Sequence, residues 1–352
     1  MTSPADATGA SSLPTHLIIV CCHAIYLGSS GGLPGSGAGS ESDVVTRARA
    51  SRDEKNWLIE PFQQGETDTY IAHVEAGVRA LAQDPNALLV FSGGATKRDR
   101  TDKTEGDGYF DVAVEHDFFN VDTTATTTGI DTATADATQS SLRLRDRIFV
   151  DRYATDSYQN ILSSLVQWPI FVEGFKSKTS SSSSSTEKSK SALPGGGGET
   201  RPNDIGAVSW PSKLTIVSHD FKRSRFLDLH LPAIQWPSSS VEYVGIDPPF
   251  DEVRMLEIQE GDRVRGYGAW RDDLYASGHL LSSKRVKRGW DPDVFRRDVL
   301  DRFSHGTTSP PPPPSSSDNN DDGDTRSALE KVVFWNQTTT GRVLTGEDVP
   351  WS

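Results

Sequence analysis

Short runs of apolar and β-branched residues alternate along this chain with longer segments in which apolar residues recur every three or four positions. The run HLIIVCC (16–22) is continuous, which is typical of a strand that is covered on both faces. Four further runs predict strands: ALLVF (87–91), RIFVD (147–151), KLTIVS (213–218) and VEYVGI (241–246).

Helical periodicity fills the intervals between these strands. Segments 66–85 and 157–168 each carry an apolar stripe, and Asp156 followed by Gln159 predicts a capping box at the start of the second. The segment after KLTIVS predicts a helix that Pro232 ends.

A last helix is predicted at about 272–288, with Asp272 and Asp273 in its first turn, basic residues in its last turn and Gly289 after it. This order of charges complements the helix dipole. Strands that alternate with helices imply a mostly parallel sheet. The predicted fold class is therefore α/β, a three-layer α/β/α Rossmann-like domain with disordered insertions.

Tracts rich in Ser, Thr, Gly, Pro and Asp interrupt the pattern, and they cannot bury enough apolar surface to offset the entropy of ordering. We expect a disordered N-terminus (1–14), a single α/β domain (15–300), a disordered Pro/Ser/Asp-rich linker (301–326) and a C-terminal segment (327–352). Within the domain, flexible insertions are predicted at about 28–42, 121–141 and 176–204.

Charge and composition restrict the classes of partner. The formal net charge of -13 disfavours nucleic acid and anionic membranes, because both need a cationic surface. No Lys or Arg precedes Arg47, and no apolar run approaches the ~20 residues of a membrane span. The adjacent Cys21 and Cys22 suit a reducing compartment and form no metal-binding spacing. These features predict a cytoplasmic protein without a metal site, and they assign no cofactor.

Polar residues follow each predicted strand, at the sheet edge where ligands of α/β folds bind. The candidates for ligand contact are His23 after the first strand, Ser92, Gly93, Gly94 and Thr96 after the second, Ser157 and Asn160 after the third, and Ser218, Lys222 and Arg225 after the fourth. Gly93 and Gly94 would let backbone approach a ligand closely. Alternatively, the Asn160 amide braces a neighbouring loop.

Three cations, Lys222, Arg223 and Arg225, lie close to the predicted start of a helix that Asp220 caps. Cations there oppose the helix dipole, at a cost of about 0.3–1 kcal/mol each. A bound anion would compensate them, because free N–H groups at a helix start attract anions. The alternative is pairing with local acids such as Asp220, or simple solvation.

Two residues could transfer protons. His219 ends the fourth strand, and Glu105 lies after the second strand where a helix begins, so both are candidate catalytic residues. Each also has a structural interpretation, as a hydrogen-bonded strand-end histidine and as a first-turn acid. Asp156 is more simply explained as a helix cap.

Common catalytic and nucleotide motifs are absent. Ser92-Gly93-Gly94 lacks the GxSxG spacing of a nucleophile elbow and the GxxxxGK[ST] spacing of a phosphate loop, and no GxGxxG follows the first strand.

Taken in order, the strand-end motifs VCCHAIYLG, LLVFSGGATK with Glu105, ATDSYQN and LTIVSHDFKRSR resemble the DUF218 family, which includes bacterial proteins named for vancomycin sensitivity and envelope biogenesis. The resemblance covers roughly residues 15–250 and is nearest to the intracellular fungal branch. It implies a Rossmann-like fold, and one family member resembles a binder of S-adenosylmethionine. No reaction is assigned across the family.

The chain departs from the family pattern at three positions. Ser157 replaces Thr, Gln159 replaces Glu, and Lys222 stands where the bacterial pattern has His, whereas Arg225 is kept. These departures bear on catalysis more than on ligand binding.

Two functions follow from the sequence. The first is a pocket for a small anionic metabolite, such as a nucleotide, an S-adenosylmethionine-like molecule or a phosphorylated compound, with hydrolase or transferase activity as an extension. The alternative is a non-catalytic adaptor, in which the α/β core is a scaffold and the Pro/Ser-rich tracts bind partners.

Overall fold

The computed structural model describes residues 13–28, 50–121, 144–183, 209–303 and 322–352. Most of the tail, insertions and linker predicted to be disordered therefore lie outside the described residues. Two predicted boundaries differ from the structure, because residues 176–183 continue a helix and residues 322–326 belong to another.

A five-stranded parallel sheet forms the centre of the molecule. Its strands are β1 (His16–Cys21), β4 (Ala87–Ser92), β5 (Ile148–Asp151), β6 (Lys213–Ser218) and β7 (Val241–Gly245). The order across the sheet is β5-β4-β1-β6-β7, and each neighbouring pair is parallel. Two short strands, β2 (Ile25–Tyr26) and β3 (Trp57–Leu58), pair antiparallel beside it.

Helices cover both faces of this sheet, which confirms the α/β/α class. The α-helices in the described ranges are α1 (Thr67–Gln83), α2 (Glu105–Glu115), α3 (Ser157–Ser183), α4 (Leu231–Ala233), α5 (Glu252–Asp262), α6 (Gly268–Asp272), α7 (His279–Lys287), α8 (Pro292–Asp298), α9 (Asp322–Val333) and α10 (Gln337–Thr340). π-helical segments at Arg225–His230 and Arg263–Tyr267 lead into α4 and α6. None of these α-helices combines the length and apolar character needed to cross a membrane.

The core lies on both faces of β1. Ile18 and Val20 pack with α1 and α2 on one face, whereas Leu17 and Ile19 pack with α3 and the Arg225–His230 segment on the other. All four side chains are fully buried. Burial on both faces explains why the β1 sequence is continuously apolar instead of alternating.

The predicted capping of α3 is partly confirmed. The Gln159 N–H donates to the Asp156 side chain at 2.8 Å, so Asp156 is the cap. The Gln159 side chain instead accepts hydrogen bonds from Thr155, through its N–H at 2.9 Å and its hydroxyl at 2.6 Å. The reciprocal half of a capping box is thus replaced by a contact to the preceding loop.

Two predicted helices have different ends. The helical run after β6 ends at Ala233, one residue past the stop predicted at Pro232, and its Arg225–His230 part is π-helical. The helix predicted at about 272–288 begins later, at α7, since Asp272 ends α6 and Ala276 adopts a φ of 53° between them. Asp273 consequently caps a turn instead of lying in the first turn of α7.

The C-terminal segment packs against the same core. Leu329, Val332 and Trp335 are buried with residues of α3 and α4. The Trp351 indole N–H donates to the Ile234 carbonyl at 2.9 Å.

Candidate functional site

The site lies where the connections from β1 and β6 diverge. These strands are adjacent, yet β1 continues toward β4 on one side and β6 continues toward β7 on the other. Such a switch point opens a crevice beyond the carboxyl ends of the strands. His23 follows β1, and its Nε2 lies 3.1 Å from Ser218 Oγ at the end of β6. Lys222 Nζ lies 3.3 Å from His23 Nδ1, so three predicted site residues meet here.

A cleft with two adjoining lobes, of 640 Å³ and 1010 Å³, opens at this edge of the sheet. These volumes are within or near the ~300–1,000 Å³ typical of small-molecule sites. Both lobes are lined by Phe62, Gln63, Thr155, Asp156, Ser157, Lys222, Arg225, Lys284 and Arg288, which mark their junction. The smaller lobe adds the apolar residues Phe221, Ile258, Trp270 and Leu281.

Basic side chains dominate this cleft, although the whole chain has a net charge of -13. They come from the loop after β4, the segment after β6, α5, the π-helical segment that follows α5, and the end of α7. The basic lining residues are Lys97, Arg98, Arg100, Lys222, Arg225, Arg254, Arg265, Lys284, Arg285, Lys287 and Arg288. The acidic ones are fewer: Glu60, Glu66, Asp99, Glu105, Asp156, Glu257 and Asp262.

Some of these cations are already neutralised by a carboxylate. Arg225 pairs with Asp262, Lys97 with Glu60, and Arg285 with Asp156 at 2.6 Å.

Three cations at the junction of the two lobes have no carboxylate partner. Within the described ranges, Lys222, Lys284 and Arg288 form no ion pair, although Arg288 donates to the Thr155 carbonyl at 2.9 Å. These three side chains therefore remain available to an anion.

Crowding and burial weaken the protonated state of the lysines. Burial, followed by repulsion from the nearby Arg225 guanidinium, lowers the pKa of Lys222 to about 7. The pKa of Lys284 is also lowered, first by burial and then by repulsion from Arg288 and Arg225. A bound anion would relieve this repulsion and restore the charge of both amines.

Arg223 does not share this environment. Its Nε donates to Asp220 at 2.9 Å, and its side chain is exposed. Arg223 is therefore paired with a local acid, which was the alternative interpretation of the cations after β6. Lys222 and Arg225 instead line the cleft. Asp220 itself is the first residue of a 3-10 turn, Asp220–Lys222, whose N-cap position is His219.

Glu105, a candidate catalytic residue, lines the larger lobe as the first residue of α2. Its Oε1 accepts a hydrogen bond from the Thr96 hydroxyl at 2.5 Å. Burial raises the pKa of the Glu105 carboxyl, and the Thr96 bond opposes that rise. Glu105 can thus exchange a proton nearer neutral pH than an exposed glutamate can. The Thr96 hydroxyl hydrogen is already donated to Glu105 and is not free for a ligand.

Ser92 and Asn160 form a buried brace, although Asn160 also lines the larger lobe. The Asn160 amide donates to the Ser92 carbonyl at 2.7 Å and to Ser92 Oγ at 3.0 Å. Ser92 Oγ donates to Asp151 at 2.7 Å, and Asp151 also accepts from Ser163 and Gln167. These bonds tie the ends of β4 and β5 to α3.

The backbone N–H groups of the glycine pair are also occupied. Gly93 donates to the Asp151 carbonyl at 3.0 Å, and Gly94 donates to the Ala154 carbonyl at 2.6 Å. A Cβ on Gly93 would lie 2.7 Å from the Glu105 Cβ and 2.8 Å from the Cys22 Cβ. The close approach that requires glycine here is therefore the packing of α2 onto the sheet.

His219, the other candidate catalytic residue, lies on the wall of the smaller lobe but is 99% buried. Its Nε2 is 3.3 Å from Glu66 Oε2, an ion-pair distance without the alignment of a hydrogen bond. Burial and then Lys222 lower its pKa, so its ring is neutral at physiological pH. His23 and His73 pack against it, with ring centroids 4.4 Å and 4.9 Å away.

Several residues in and around the cleft did not stand out in the sequence. Glu66, which lines the smaller lobe, is the N-cap residue of α1, and His73, which packs against His219, lies on the buried face of that helix. Lys284 and Arg288 fitted the helix dipole of α7, and only the packing of α7 beside Ser157 brings them into the cleft. His230, hydrogen-bonded to Ser157 Oγ at 2.8 Å, lies in a segment for which the sequence predicts only a helix.

No three or more His, Cys, Asp or Glu side chains are arranged to hold a metal ion in the described part of the chain. The unpaired cations could instead hold the phosphate of a nucleotide or a phosphorylated metabolite.

Comparison with known proteins found a relative that is similar along most of this chain. No protein-family model matches the chain, and no solved structure matches it. The chain is 22% identical over 308 residues to the Saccharomyces cerevisiae protein named Uncharacterized protein YOR238W. The aligned region covers 77% of this chain and 82% of the relative. The printed name of this relative gives no activity.

Proposed function

We propose that this protein binds a small phosphorylated metabolite, such as a nucleotide, in the cleft at the carboxyl edge of its sheet. The observation that carries the proposal is the convergence of Lys222, from the segment after β6, with Lys284 and Arg288, from the end of α7, none of which forms an ion pair in the described ranges. Multiple unpaired cations in a partly buried cleft are stabilised when an anion enters.

The two lobes differ in chemistry, and this supports a ligand with two unlike ends. The smaller lobe has aromatic walls from Phe221 and Trp270, whereas the larger lobe adds Lys97, Arg98 and further cations. A nucleotide has an apolar aromatic base and a multiply charged phosphate group. The base suits the smaller lobe and the phosphates suit the larger one.

Charge separates the candidate ligands that the sequence left open. S-adenosylmethionine carries a sulfonium and an ammonium group against one carboxylate, so its net charge is positive. A cleft in which unpaired cations already repel one another disfavours such a molecule. Phosphorylated compounds are favoured over it for this reason.

We further propose that the chain belongs to the DUF218 family, in its intracellular fungal branch, and acts in the cytoplasm. The order of the strand-end motifs along β1, β4, β5 and β6 supports membership. Its overall negative charge supports the expectation that nucleic acid is not a partner. The adaptor alternative depends on the proline-rich tract, most of which lies outside the described residues, so no observation of the cleft favours it.

A thermal-shift screen tests the proposal. Purified full-length protein is incubated with adenosine and guanosine nucleotides, sugar phosphates, pyrophosphate and, as the oppositely charged control, S-adenosylmethionine. We expect at least one phosphorylated compound to raise the melting temperature, since a ligand at about 100 times its Kd stabilises by about 2.7 kcal/mol. Lys284→Met should abolish that shift, and Arg79→Met, which removes an exposed partner of Glu75 outside the cleft, should not.

A panel with no stabilising phosphorylated compound, or an identical shift in Lys284→Met, would contradict the proposal.

A further inference from the structure

Three Ser–His side-chain pairs occur in the described part of the chain: Ser51–His116 at 2.9 Å, Ser218–His23 at 3.1 Å and Ser157–His230 at 2.8 Å. They differ in where the serine lies. Ser51 and Ser218 are completely buried and line neither lobe of the cleft, whereas Ser157 lines both lobes at their junction.

The hydrogen bonds around Ser157 orient its hydroxyl. Arg225 Nη1 donates to Ser157 Oγ at 3.4 Å, so one lone pair of that oxygen is occupied. The Ser157 hydroxyl then donates its hydrogen to His230 Nε2, which lies 2.8 Å from Oγ. This is the arrangement in which a histidine can remove the proton of a serine nucleophile.

The His230 ring is held in place by packing. It is fully buried, and the rings of Phe226 and Trp270 lie 5.5 Å and 4.7 Å from it, both edge-on. Its Nδ1 is buried and has no hydrogen-bond partner among the described residues. Packing against aromatic rings therefore holds the His230 ring in position, a role that a carboxylate has in a catalytic triad.

We propose that Ser157 is the nucleophile, and His230 the general base, in transfer of a phosphoryl group from the metabolite bound in the cleft. This inference rests on the proposed function, because the cations of the cleft deliver the phosphorylated substrate to Ser157. Arg225, within hydrogen-bond distance of Ser157 Oγ, stabilises the charge on the transferred group.

The first step forms a bond between Ser157 Oγ and phosphorus and breaks the bond from phosphorus to the leaving oxygen. The hydroxyl proton passes to His230 Nε2 and then to the leaving group, which departs with the bonding electron pair. In the second step His230 removes a proton from water, whose oxygen attacks phosphorus and breaks the Oγ–P bond. The proton returns to Ser157, so the enzyme is regenerated and one water is consumed.

The charges near His230 favour the base form of its ring. Burial, followed by Arg225 and Arg285, holds the pKa of His230 well below its usual range, so the ring is unprotonated when substrate arrives. The phosphate of the substrate would add negative charge beside Ser157 and so offset the effect of these arginines on His230. That change raises the basicity of His230 at the moment when a proton is to be removed.

Labelling with a fluorophosphonate reagent tests the assignment. The reagent forms an Oγ–P bond with an activated serine and releases fluoride, and its site is mapped by tandem mass spectrometry of the full-length protein. We expect a single adduct at Ser157, no adduct there in Ser157→Ala, and labelling about 100-fold slower in His230→Gln, the scale of a general base. His116→Gln, the matched change in a pair outside the cleft, should label Ser157 at the wild-type rate.

Absence of an adduct on Ser157 in the folded wild-type protein overturns the inference, and so does equal labelling in a folded His230→Gln variant. The wild-type map requires no variant and decides the question even where a substitution prevents folding. Ligand binding without labelling removes the nucleophile but keeps the proposed function. Labelling without binding of any phosphorylated compound overturns the phosphoryl-transfer proposal and the proposed function together.

Discussion

Lys222 Nζ lies 3.3 Å from His23 Nδ1, so the segments that follow β6 and β1 meet at a partly buried contact between an amine and an imidazole. No carboxylate in the described ranges lies within ion-pair distance of this amine. A cation in such a position lowers the stability of the free protein, and this cost is understandable if an anionic ligand binds beside it.

Ligand affinity should therefore depend on the protonation of Lys222. Its pKa of about 7 in the free protein means that the amine loses its charge as pH rises through neutrality. We expect the affinity for pyrophosphate to fall between about pH 7 and about pH 9, by up to tenfold per unit for one proton. Lys222→Arg stays charged and should give a flat profile, as measured by calorimetric titration. An equally steep profile in Lys222→Arg would exclude Lys222 as the titrating group.

Removal of the same amine should stabilise the free protein. The pKa of Lys222 is lower in the folded state than in the unfolded chain, where it is near 10.4. The unfolded state binds more protons between these values, so wild-type stability rises with pH across that window and is lowest at or below pH 7. Lys222→Met should raise the melting temperature at about pH 6.5 while weakening anion binding. A lower melting temperature would mean that the amine has a stabilising partner.

The Ser92–Asn160 brace should matter for stability and not for binding. Asn160→Ala removes both bonds to Ser92, whose carbonyl keeps only the bond from the Cys22 N–H at 2.9 Å. We expect a loss of about 1–3 kcal/mol in the free energy of unfolding, measured by denaturant titration. Affinity for the phosphorylated ligand should stay within about twofold, because 1.4 kcal/mol corresponds to a tenfold change. Unchanged stability with a tenfold loss of affinity would instead make Asn160 a ligand contact.

Gly93→Ala should loosen the packing of α2 on the sheet. The added methyl group would lie 2.7 Å from the Glu105 Cβ, closer than van der Waals contact allows. We expect a cost of about 1–3 kcal/mol in unfolding free energy, as for overpacked cores. Gly346→Ala is the control, since the nearest atom to its new Cβ is 3.5 Å away on Ser352. Equal stability of the two variants would show that α2 shifts freely.

Acid should release the C-terminal segment. Asp348 accepts hydrogen bonds from Arg342 (2.9 Å to Oδ1) and Lys331 (2.6 Å), and these partners hold its pKa far below the usual range. A depressed folded-state pKa contributes stability that is present above the unfolded value of about 3.9 and is lost as pH falls below it. Asp348→Asn should cost about 1–2 kcal/mol at pH 7, discounted because both partners are half exposed. Hydrogen exchange should become faster in residues 329–335 of Asp348→Asn than in the wild type. An unchanged exchange rate there would contradict this role of Asp348.

The sheet could be predicted from the sequence because burial on both faces leaves a local signal, a continuous apolar run such as 16–22. Lys222 and Arg225 were found because their charges oppose the local helix direction. The sequence at the strand ends did not distinguish Ser92 from Ser157. The Ser92 hydroxyl donates to the buried Asp151, whereas Ser157 lines the cleft. That difference depends on long-range packing, which periodicity does not record.

The cations of α7 illustrate the same limit. Lys284 and Arg288 complement their own helix dipole, so their positions needed no further explanation in the sequence. They reach the cleft because α7 packs beside the start of α3, where Arg285 pairs with Asp156 at 2.6 Å. A contact between residues so distant in the chain has no local signature.

Calorimetric titration of pyrophosphate into the wild-type protein and into a Lys222→Met/Lys284→Met double variant tests the central claim most directly. Two charge-assisted contacts are worth about 1.5–3 kcal/mol each, so we predict saturable binding to the wild type and affinity at least about 100-fold weaker in the double variant. Equal affinity in the two proteins, or no binding to the wild type at low salt, would contradict a phosphate-binding cleft at the edge of this sheet.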